Sequence, residues 1–398
     1  MNALLLPLSL LASVAVFISA NAAPLSPQGP DAAERGLTPS WDWKSDSPEH
    51  QGMASAKLNA IKDLMAAKKT KALLVIRNDR IVLEWYAPGN SAADKQGTAS
   101  LAKALAGGLS FAVAHTDGKI VLDDPATKFV PQWKSDPRKS RIKIRHLGSH
   151  TSGLSDSTTP SVKHEEQPGW MGDFWKRLDP PNDSFTISRD LVPMLFEPGE
   201  KIQYSNPGIG MLTYCVTAAI KDSAQKDIRS LLRERVMRPI SVPDSEWSVG
   251  YGKTYTVDGL PLVATWGGGS YVPRATARIG RLVLRQGDWE GRQILSKEGV
   301  HAMTGDAGQP GHCGMGWWSN AGGRYTRLPK DAVWGAGAGD QLLLVVPSLN
   351  LIMVRNGQTL EPGPDEPPVR KDDVFTEYQD YRAHILFEPL AQAVERVQ

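Results

Sequence analysis

A serine and a lysine one helical turn apart are the residues of this sequence best suited to chemistry. Ser100 and Lys103 lie in an apolar run, residues 99–114, in which Lys103 is the only charged residue. A helix that is apolar on every side is normally buried, so we expect Lys103 to lie largely out of water. Burial disfavours the ammonium form and lowers the pKa of a lysine, which makes its amine a proton acceptor near neutral pH. The spacing therefore predicts a serine nucleophile beside a lysine base on one helix face.

A second segment contains residues that could complete such a site. Tyr204 and Asn206 lie in a loop bracketed by two Pro-Gly pairs, just before an apolar helix predicted from Ile209. A tyrosine beside a lysine could share its proton and act as general acid or base. Asn206 could contact the substrate or orient Lys103. Turn propensity alone would also account for a Tyr-Ser-Asn loop.

A third segment, residues 334–341, is rich in glycine and precedes an apolar strand predicted over residues 341–347. Glycines directly before a core strand suggest that the backbone approaches another group closely. A backbone N–H of this segment, together with that of Ser100, could form an oxyanion hole. A flexible turn is an equally good interpretation of the glycines alone. The candidate oxyanion and substrate-binding residues are Asn206, Gly337, Ala338, Gly339 and Gln341.

Composition and charge exclude several classes of partner. The chain has 398 residues, of which 41% are hydrophobic and 22% charged, as in an ordinary globular protein. A net charge of +2 without a basic stripe gives no reason to expect a nucleic-acid partner. The eight histidines show no metal-ligand spacing, and His146 and His150 flank Gly148, so no metal site is expected. Cys215 and Cys313 are predicted to be buried free thiols.

The N-terminus has the form of a secretory signal peptide. Residues 1–23 are apolar and end in Ala-Asn-Ala-Ala, which predicts cleavage after Ala22 or Ala23. Pro7 and the short span argue against a stable membrane-spanning helix after cleavage. We therefore expect an exported protein, periplasmic or secreted. Residues 24–50 are rich in Pro and Ser and are expected to form a loosely attached lead-in.

Strand and helix patterns place sheet-forming segments near both ends of the remaining chain. Residues 51–398 are predicted to form one domain, with a sheet region from about 51–115 and 270–398 and a helical insertion over about 116–269. Two apolar runs joined across Asn78 and Asp79 predict a β-hairpin. The predicted helices span residues 53–68, 274–285, 296–303 and about 375–396, and the predicted strands span residues 72–76, 81–86, 314–319, 341–347 and 349–355.

Together these motifs resemble the serine β-lactamase and penicillin-binding-protein superfamily, in particular its esterase and amidase branch. Ser100-x-x-Lys103 resembles the nucleophile motif of that family, and Tyr204-Ser-Asn206 resembles its Y-x-N motif. Residues 145–154, RHLGSHTSGL, are similar to the family segment R-H-L-L-T-H-T-S-G-L. Shorter similar strings occur at residues 121–125, 196–199 and 291–296.

The resemblance implies both a fold and a mechanism. The implied fold is α/β (α+β): an antiparallel sheet flanked by helices plus an inserted all-α region, with the site in the cleft between them. Ser100 would attack a carbonyl, while Lys103 and Tyr204 jointly accept and return the proton. The amides of Ser100 and of a residue in 337–341, such as Gln341, would hold the oxyanion. Water would then cleave the acyl-enzyme, so neither a metal nor an organic cofactor is required.

One departure from the family pattern bears on the substrate. Relatives that process penicillins carry Lys or His in the third motif, whereas residues 337–341 offer no cation and Asp340 adds a negative charge. An anionic substrate would lose a contact worth roughly 1.5–3 kcal/mol, unless Arg355 replaces the cation. The expected substrate is therefore a small ester or amide without an essential carboxylate at that subsite, and an esterase is the first choice. The alternatives are a β-lactamase, a D-aminopeptidase, a hydrolase of linear amide oligomers, and a non-enzymatic protein that binds cell-wall peptides.

Overall fold

The computed structural model describes residues 41–159, 162–308, 313–363 and 379–395. The predicted signal peptide, residues 24–40 of the lead-in and the first residues of the predicted C-terminal helix lie outside these ranges. Within them, no helix combines the length and the apolar character needed to cross a bilayer.

A seven-stranded sheet forms the centre of the described structure. Its strands lie in the order β1-β3-β2-β14-β13-β12-β11, and neighbours are antiparallel except for the parallel pair β1–β3. Strands β4, β8 and β5 form a smaller sheet, and β6–β7 and β9–β10 are two short hairpins. The strands are β1 (Lys44–Ser45), β2 (Thr70–Arg77), β3 (Arg80–Tyr86), β4 (Gln96–Gly97), β5 (Trp247–Val249), β6 (Tyr255–Val257), β7 (Leu260–Leu262), β8 (Gly269–Tyr271), β9 (Asp288–Trp289), β10 (Arg292–Gln293), β11 (Trp318–Ser319), β12 (Val333–Gly337), β13 (Gln341–Val346) and β14 (Leu351–Gly357).

Helices cover both faces of the large sheet. On one face lie the nucleophile-bearing helix and α8, and on the other lie α1 and the C-terminal helix. The α-helices are α1 (Ser55–Ala67), α2 (Leu109–Thr116), α3 (Ile144–Gly148), α4 (Trp170–Trp175), α5 (Ser184–Asp190), α6 (Asn206–Ala219), α7 (Ile228–Leu232), α8 (Pro273–Leu284), α9 (Lys297–Thr304) and α10 (Glu388–Gln392), and π-helical stretches span Lys103–Gly108, Arg233–Met237 and Ala383–Phe387.

The sequence of β2 shows why its strand lies in the middle of the sheet. Successive side chains of a strand point to opposite faces. Leu74 and Ile76 therefore join the core below the nucleophile helix, while Leu73 and Val75 join the core below α1. Both faces are buried, so the strand reads as a continuous apolar run rather than an alternating one.

Most of the predicted sheet-region elements are confirmed. The helix predicted over 53–68 is α1, and the hairpin is β2–β3, whose turn residues Asn78 and Asp79 both have positive φ. The last two predicted strands are β13 and β14. The predicted helices at 274–285 and 296–303 are α8 and α9. Cys215 and Cys313 are both buried and free, as predicted.

Other expectations are wrong. The strand predicted over 314–319 is limited to β11, because residues 314–316 bend against the nucleophile helix. Strand β12 was not predicted, since its Gly-Ala repeat shows no alternation of apolar and polar residues. The insertion also contains short strands, β5 to β7. Residues 41–50 are not loosely attached, because β1 pairs with β3 and Trp43 is buried.

Candidate active site

Ser100 lies in a tight 3-10 turn, Ala99–Leu101, that leads into the π-helical stretch beginning at Lys103. The turn is anchored by Thr98, whose backbone N–H donates to Gly269 O at 3.1 Å and whose hydroxyl donates to Gly268 O at 2.6 Å. Ala99 has a φ of 46°, a left-handed conformation that is costly for alanine. Such strain, about 1–3 kcal/mol, persists only where the surroundings hold it, and it is common at active sites.

Lys103 is buried as predicted, with 3% of its surface exposed. Its Nζ lies 3.1 Å from Ser100 Oγ, 2.8 Å from Asn206 Oδ1 and 2.5 Å from the carbonyl oxygen of Trp266. Burial lowers the pKa of Lys103 to about 7, and the negative charge of Asp156 opposes part of that shift. Near neutral pH a large fraction of the lysine is therefore an uncharged amine.

The three contacts of Lys103 determine where its lone pair points. A neutral amine has two N–H groups and one lone pair. Asn206 Oδ1 and Trp266 O can only accept hydrogen bonds, so they take the two N–H groups. The lone pair is left facing Ser100 Oγ, whose O–H can donate to it. This is the arrangement that a lysine base requires.

Tyr204 completes the trio from the other side of the nucleophile. Its hydroxyl donates to Ser100 Oγ at 2.8 Å, and Lys103 Nζ lies 4.7 Å from the centre of its ring. Burial raises the pKa of Tyr204 far above the usual value, so the phenol stays protonated. In this state Tyr204 donates a hydrogen bond to the serine oxygen, and its phenol is suited to giving up a proton rather than to accepting one.

Asp156 fixes the orientation of Asn206. Its Oδ1 accepts hydrogen bonds from Asn206 N at 2.7 Å and from Asn206 Nδ2 at 3.0 Å. With its amide nitrogen held by Asp156, Asn206 must present its oxygen to Lys103. Both ends of the Asn206 side chain are therefore engaged, which favours the orienting role over direct contact with substrate.

His150 supports Tyr204 without joining the reaction. Its ring lies 4.6 Å from the ring of Tyr204, centre to centre, and its Nδ1 accepts from the backbone N–H of Ser205 at 3.2 Å. Burial and the nearby Lys103 lower the pKa of His150 to about 3, so the imidazole is neutral. A neutral ring adds no charge that would further disfavour the ammonium form of Lys103.

The glycine-rich segment forms strand β12, which runs directly against the nucleophile turn. A Cβ atom at Gly337 would lie 2.2 Å from Thr98 O, 2.7 Å from Leu101 N and 3.0 Å from Ser100 N. Contacts below 3.0 Å do not occur for real Cβ atoms, so only glycine permits this approach. The backbone end of β12 thus lies beside Ser100 N, where a second amide of an oxyanion hole is needed.

The turn after β12 uses its side chains to hold itself together. Gln341 Nε2 donates to Gly357 O at 2.8 Å and to Gly339 O at 3.1 Å. If Gln341 contributes to an oxyanion hole, the contributing group is therefore its backbone N–H and not its side chain. Ala338 is exposed at the tip of the turn.

Two charged residues of this region do not act as the sequence suggested. Asp340 was expected to place a negative charge at the third motif, but it is buried, pairs with Arg382 and accepts from Leu360 N at 2.6 Å. Arg355 was considered as a replacement cation. It is fully buried and donates to Gly339 O and Asp340 O at 2.8 and 2.9 Å, so it stabilises the turn instead.

Sequence reasoning missed three groups of the site. Asp156 lies two residues beyond the segment 145–154, and this proximity was the only feature of the sequence that could have marked it as a site residue. The Trp266 carbonyl is a backbone group that is 163 residues from Lys103 in sequence, so no side-chain pattern could identify it. His150 lies inside the segment 145–154, but the only individual role considered for it was that of a metal ligand.

Comparison with known proteins shows the family of the chain. Residues 59–374 match the Beta-lactamase family. The chain belongs to the β-lactamase family. The sequence is 24% identical over 304 residues to a 6-aminohexanoate-dimer hydrolase of Paenarthrobacter ureafaciens, covering 72% of each chain. It is 26% identical over 157 residues to a β-lactamase of Pseudomonas fluorescens, a match that spans only 37% of either protein.

Solved structures show the same β-lactamase-type fold. A family VIII carboxylesterase superposes with a TM-score of 0.58 at 15% identity, covering 86% of this chain and 99% of that structure. The architecture is the α/β β-lactamase and transpeptidase fold, with a mixed sheet flanked by helices and a helical region. The chain is therefore a serine hydrolase of the β-lactamase family, with esterases and amidases among its relatives.

Proposed function

We propose that this protein hydrolyses a small-molecule ester through an acyl-enzyme, with Ser100 as nucleophile, Lys103 as base and Tyr204 as proton donor. The observation that carries the proposal is the contact of Ser100 Oγ with both other groups, at 3.1 Å to Lys103 Nζ and 2.8 Å to the Tyr204 hydroxyl. A serine oxygen held between a lone pair and a protonated phenol is prepared to lose its proton and attack.

The proposed reaction proceeds in two halves. Ser100 Oγ attacks the ester carbonyl and transfers its proton to Lys103, while the amide of Ser100 and an amide near Gly337 bind the oxyanion. The tetrahedral intermediate collapses, and the alkoxide leaves with a proton from Tyr204, which Lys103 replenishes. Water then attacks the acyl-enzyme, with the amine again accepting the proton, and releases the carboxylic acid and free Ser100.

An ester is preferred over a β-lactam because residues 337–341 contain no cation that could bind a substrate carboxylate. Arg355, a basic residue on β14, has its guanidinium engaged by the carbonyls of Gly339 and Asp340. A β-lactam carboxylate at this position would lose a charge-assisted contact worth roughly 1.5–3 kcal/mol, which corresponds to about ten- to a hundred-fold in binding.

The test compares turnover of a p-nitrophenyl ester, a chromogenic cephalosporin, a D-amino-acid amide and a linear amide dimer. We expect the ester to have the largest kcat/KM, and Ser100→Ala to abolish its turnover. A larger kcat/KM for the cephalosporin would overturn the ester assignment. Covalent labelling of Ser100 by a fluorophosphonate distinguishes a hydrolase from a cell-wall peptide-binding protein, which would not need all three reactive groups.

Hydrolysis of a linear amide is a second candidate. Amine leaving groups need a proton, and a phenol held in its protonated form beside the nucleophile is suited to supply it. The similarity to a protein named for hydrolysis of the 6-aminohexanoate dimer points in the same direction. Turnover of the amide dimer above that of the ester would favour this candidate.

A further inference from the structure

Arg177 is a charged residue of the helical region that none of the reaction steps uses. It is exposed, and its Cζ lies 5.2 Å from the centre of the Tyr251 ring, in a cation–π contact. Among the described residues its guanidinium forms no ion pair, whereas its neighbour Lys176 pairs with Asp173 at 2.8 Å. A positive charge is thus presented on an aromatic face without a carboxylate partner.

The backbone of Arg177 is held in an unfavourable conformation. Its φ is 57°, in the left-handed region that long side chains rarely adopt. Lys253 supports this conformation by donating to Arg177 O at 2.8 Å, and Lys253 is itself paired with Asp179 at 2.7 Å. The surroundings therefore fix the segment that carries Arg177, and the charges of Lys253 and Asp179 offset each other, while the carboxylate of Glu165 also acts on Tyr251.

Tyr251, which contacts Arg177, also lies near the turn that carries Ser100. A Cβ atom at Gly267 would lie 2.3 Å from the Tyr251 hydroxyl oxygen and 3.8 Å from Ala99 O, so the phenol and the residue next to Ser100 both lie beside Gly267. Gly267 directly follows Trp266, whose carbonyl binds Lys103. The Tyr251 hydroxyl has no hydrogen-bond partner in the described part of the chain. Burial raises its pKa to about 12, so it remains a donor.

We infer that Arg177 and Tyr251 form an anion subsite on the helical side of the cleft, which binds a carboxylate that the ester substrate carries away from its reacting carbonyl. The inference rests on the proposed ester hydrolysis and adds the substrate class, a monoester of a dicarboxylic acid. Arg177 then supplies the cation that residues 337–341 lack. The same carboxylate that a penicillin-type site would bind beside β12 is bound here beside Tyr251.

The test measures kcat/KM for two p-nitrophenyl esters of equal chain length, the mono-p-nitrophenyl ester of adipic acid and its neutral methyl-capped form. Arg177→Gln should lower the anionic-to-neutral ratio by about three- to ten-fold, as expected for a partly exposed charge pair. Tyr251→Phe should lower it less. Lys176→Gln removes the same charge one residue away and should leave the ratio unchanged. An equal ratio in Arg177→Gln and Lys176→Gln would overturn the subsite.

A binding measurement separates this inference from the proposed function. Monomethyl adipate is titrated calorimetrically into Ser100→Ala, with and without Arg177→Gln. Weaker binding in the double variant supports the subsite even if neither ester is hydrolysed. Equal Kd values in the two proteins would overturn it even if both esters are good substrates.

Discussion

Lys103 combines a catalytic advantage with a cost in stability. The same burial that lowers its pKa to about 7 makes its ammonium form expensive to enclose. Asp156 limits the shift by its negative charge and, through Asn206, also directs the acceptor that holds the amine. The reactivity of Ser100 therefore depends on two residues that do not touch it.

The pH dependence of the reaction should reflect the pKa of Lys103. Because the proposed base is the neutral amine, kcat/KM for an ester should rise with pH through about 7. Asp156→Asn keeps an acceptor for Asn206 but removes the charge that raises the pKa of Lys103, so the rise should move to lower pH. Asp173→Asn, on the surface, is the control. A rise that stays in place in Asp156→Asn would contradict the electrostatic role of Asp156.

The cost in stability should also depend on pH. The pKa of Lys103 is about 7 when folded and near 10.5 when unfolded, so the folded state is penalised fully below pH 7. The penalty decreases as pH rises to 10.5, where both states hold the neutral amine. Lys103→Met should therefore gain on the order of a few kcal/mol more at pH 6 than at pH 10.

Thermal unfolding at the two pH values measures this difference. Ser100→Ala, which stops the reaction without removing a buried charge, should change the Tm by a similar amount at both. If the Tm of Lys103→Met differs from that of the wild type equally at pH 6 and pH 10, burial does not disfavour the ammonium form of Lys103.

At the scale of elements, the site is made where β12 meets the nucleophile turn. The sequence predicted α1, the β2–β3 hairpin and β14 because each is specified by local apolar patterns. It could not predict β12, since the glycines there are required by close packing against Thr98 and Leu101, which lie more than 230 positions earlier in the chain. The Ser100, Lys103 and Tyr204 motifs were visible because they are side chains at fixed spacings. Asp156, the Trp266 carbonyl and Tyr251 are brought in only by tertiary folding.

A pair of glycine substitutions separates contact with the nucleophile from packing. Gly337→Ala would place a Cβ against Thr98 O and Leu101 N, both backbone atoms, so the turn that carries Ser100 must move. We expect a loss of kcat of at least about a hundred-fold, because misplaced reacting groups lose most of their rate advantage.

Gly335→Ala is the matched control on the same strand. Its Cβ would meet Leu101 Cδ1 at 2.5 Å, the end of a flexible side chain that can move, and Ala104 Cβ at 2.9 Å, which is fixed to its backbone. It should destabilise by about 1–3 kcal/mol with a smaller loss of kcat. Similar kcat values for the two variants, measured with a p-nitrophenyl ester, would show that Gly337 does not position Ser100.

At the scale of the whole molecule, both ends of the described chain contribute to one sheet. Strand β14 pairs with β2 on one side and with β13 on the other, so the last strand lies in the middle of the sheet and joins its two halves. The apolar patterns at the two ends predicted this arrangement. The small β4-β8-β5 sheet was not predicted, because strands of two or three residues are too short to show a period.

Export of the protein stays a prediction that can be measured directly. We propose that residues 1–23 are removed as a signal peptide, which would leave an N-terminus at Ala23 or Pro24. Mass spectrometry of the protein recovered from the periplasm or medium should give one of these two masses. Recovery of an intact Met1 chain from the cytoplasm alone would contradict the proposal.

The position of β14 also decides when the enzyme becomes active during its synthesis. Ser100 leaves the ribosome early, yet β12, which must lie against its turn, can join the hairpin β2–β3 only through β13 and β14. Until residue 357 has emerged, a nascent chain holds a serine without its oxyanion-binding strand. Chains that end before residue 357 are therefore expected to lack hydrolase activity.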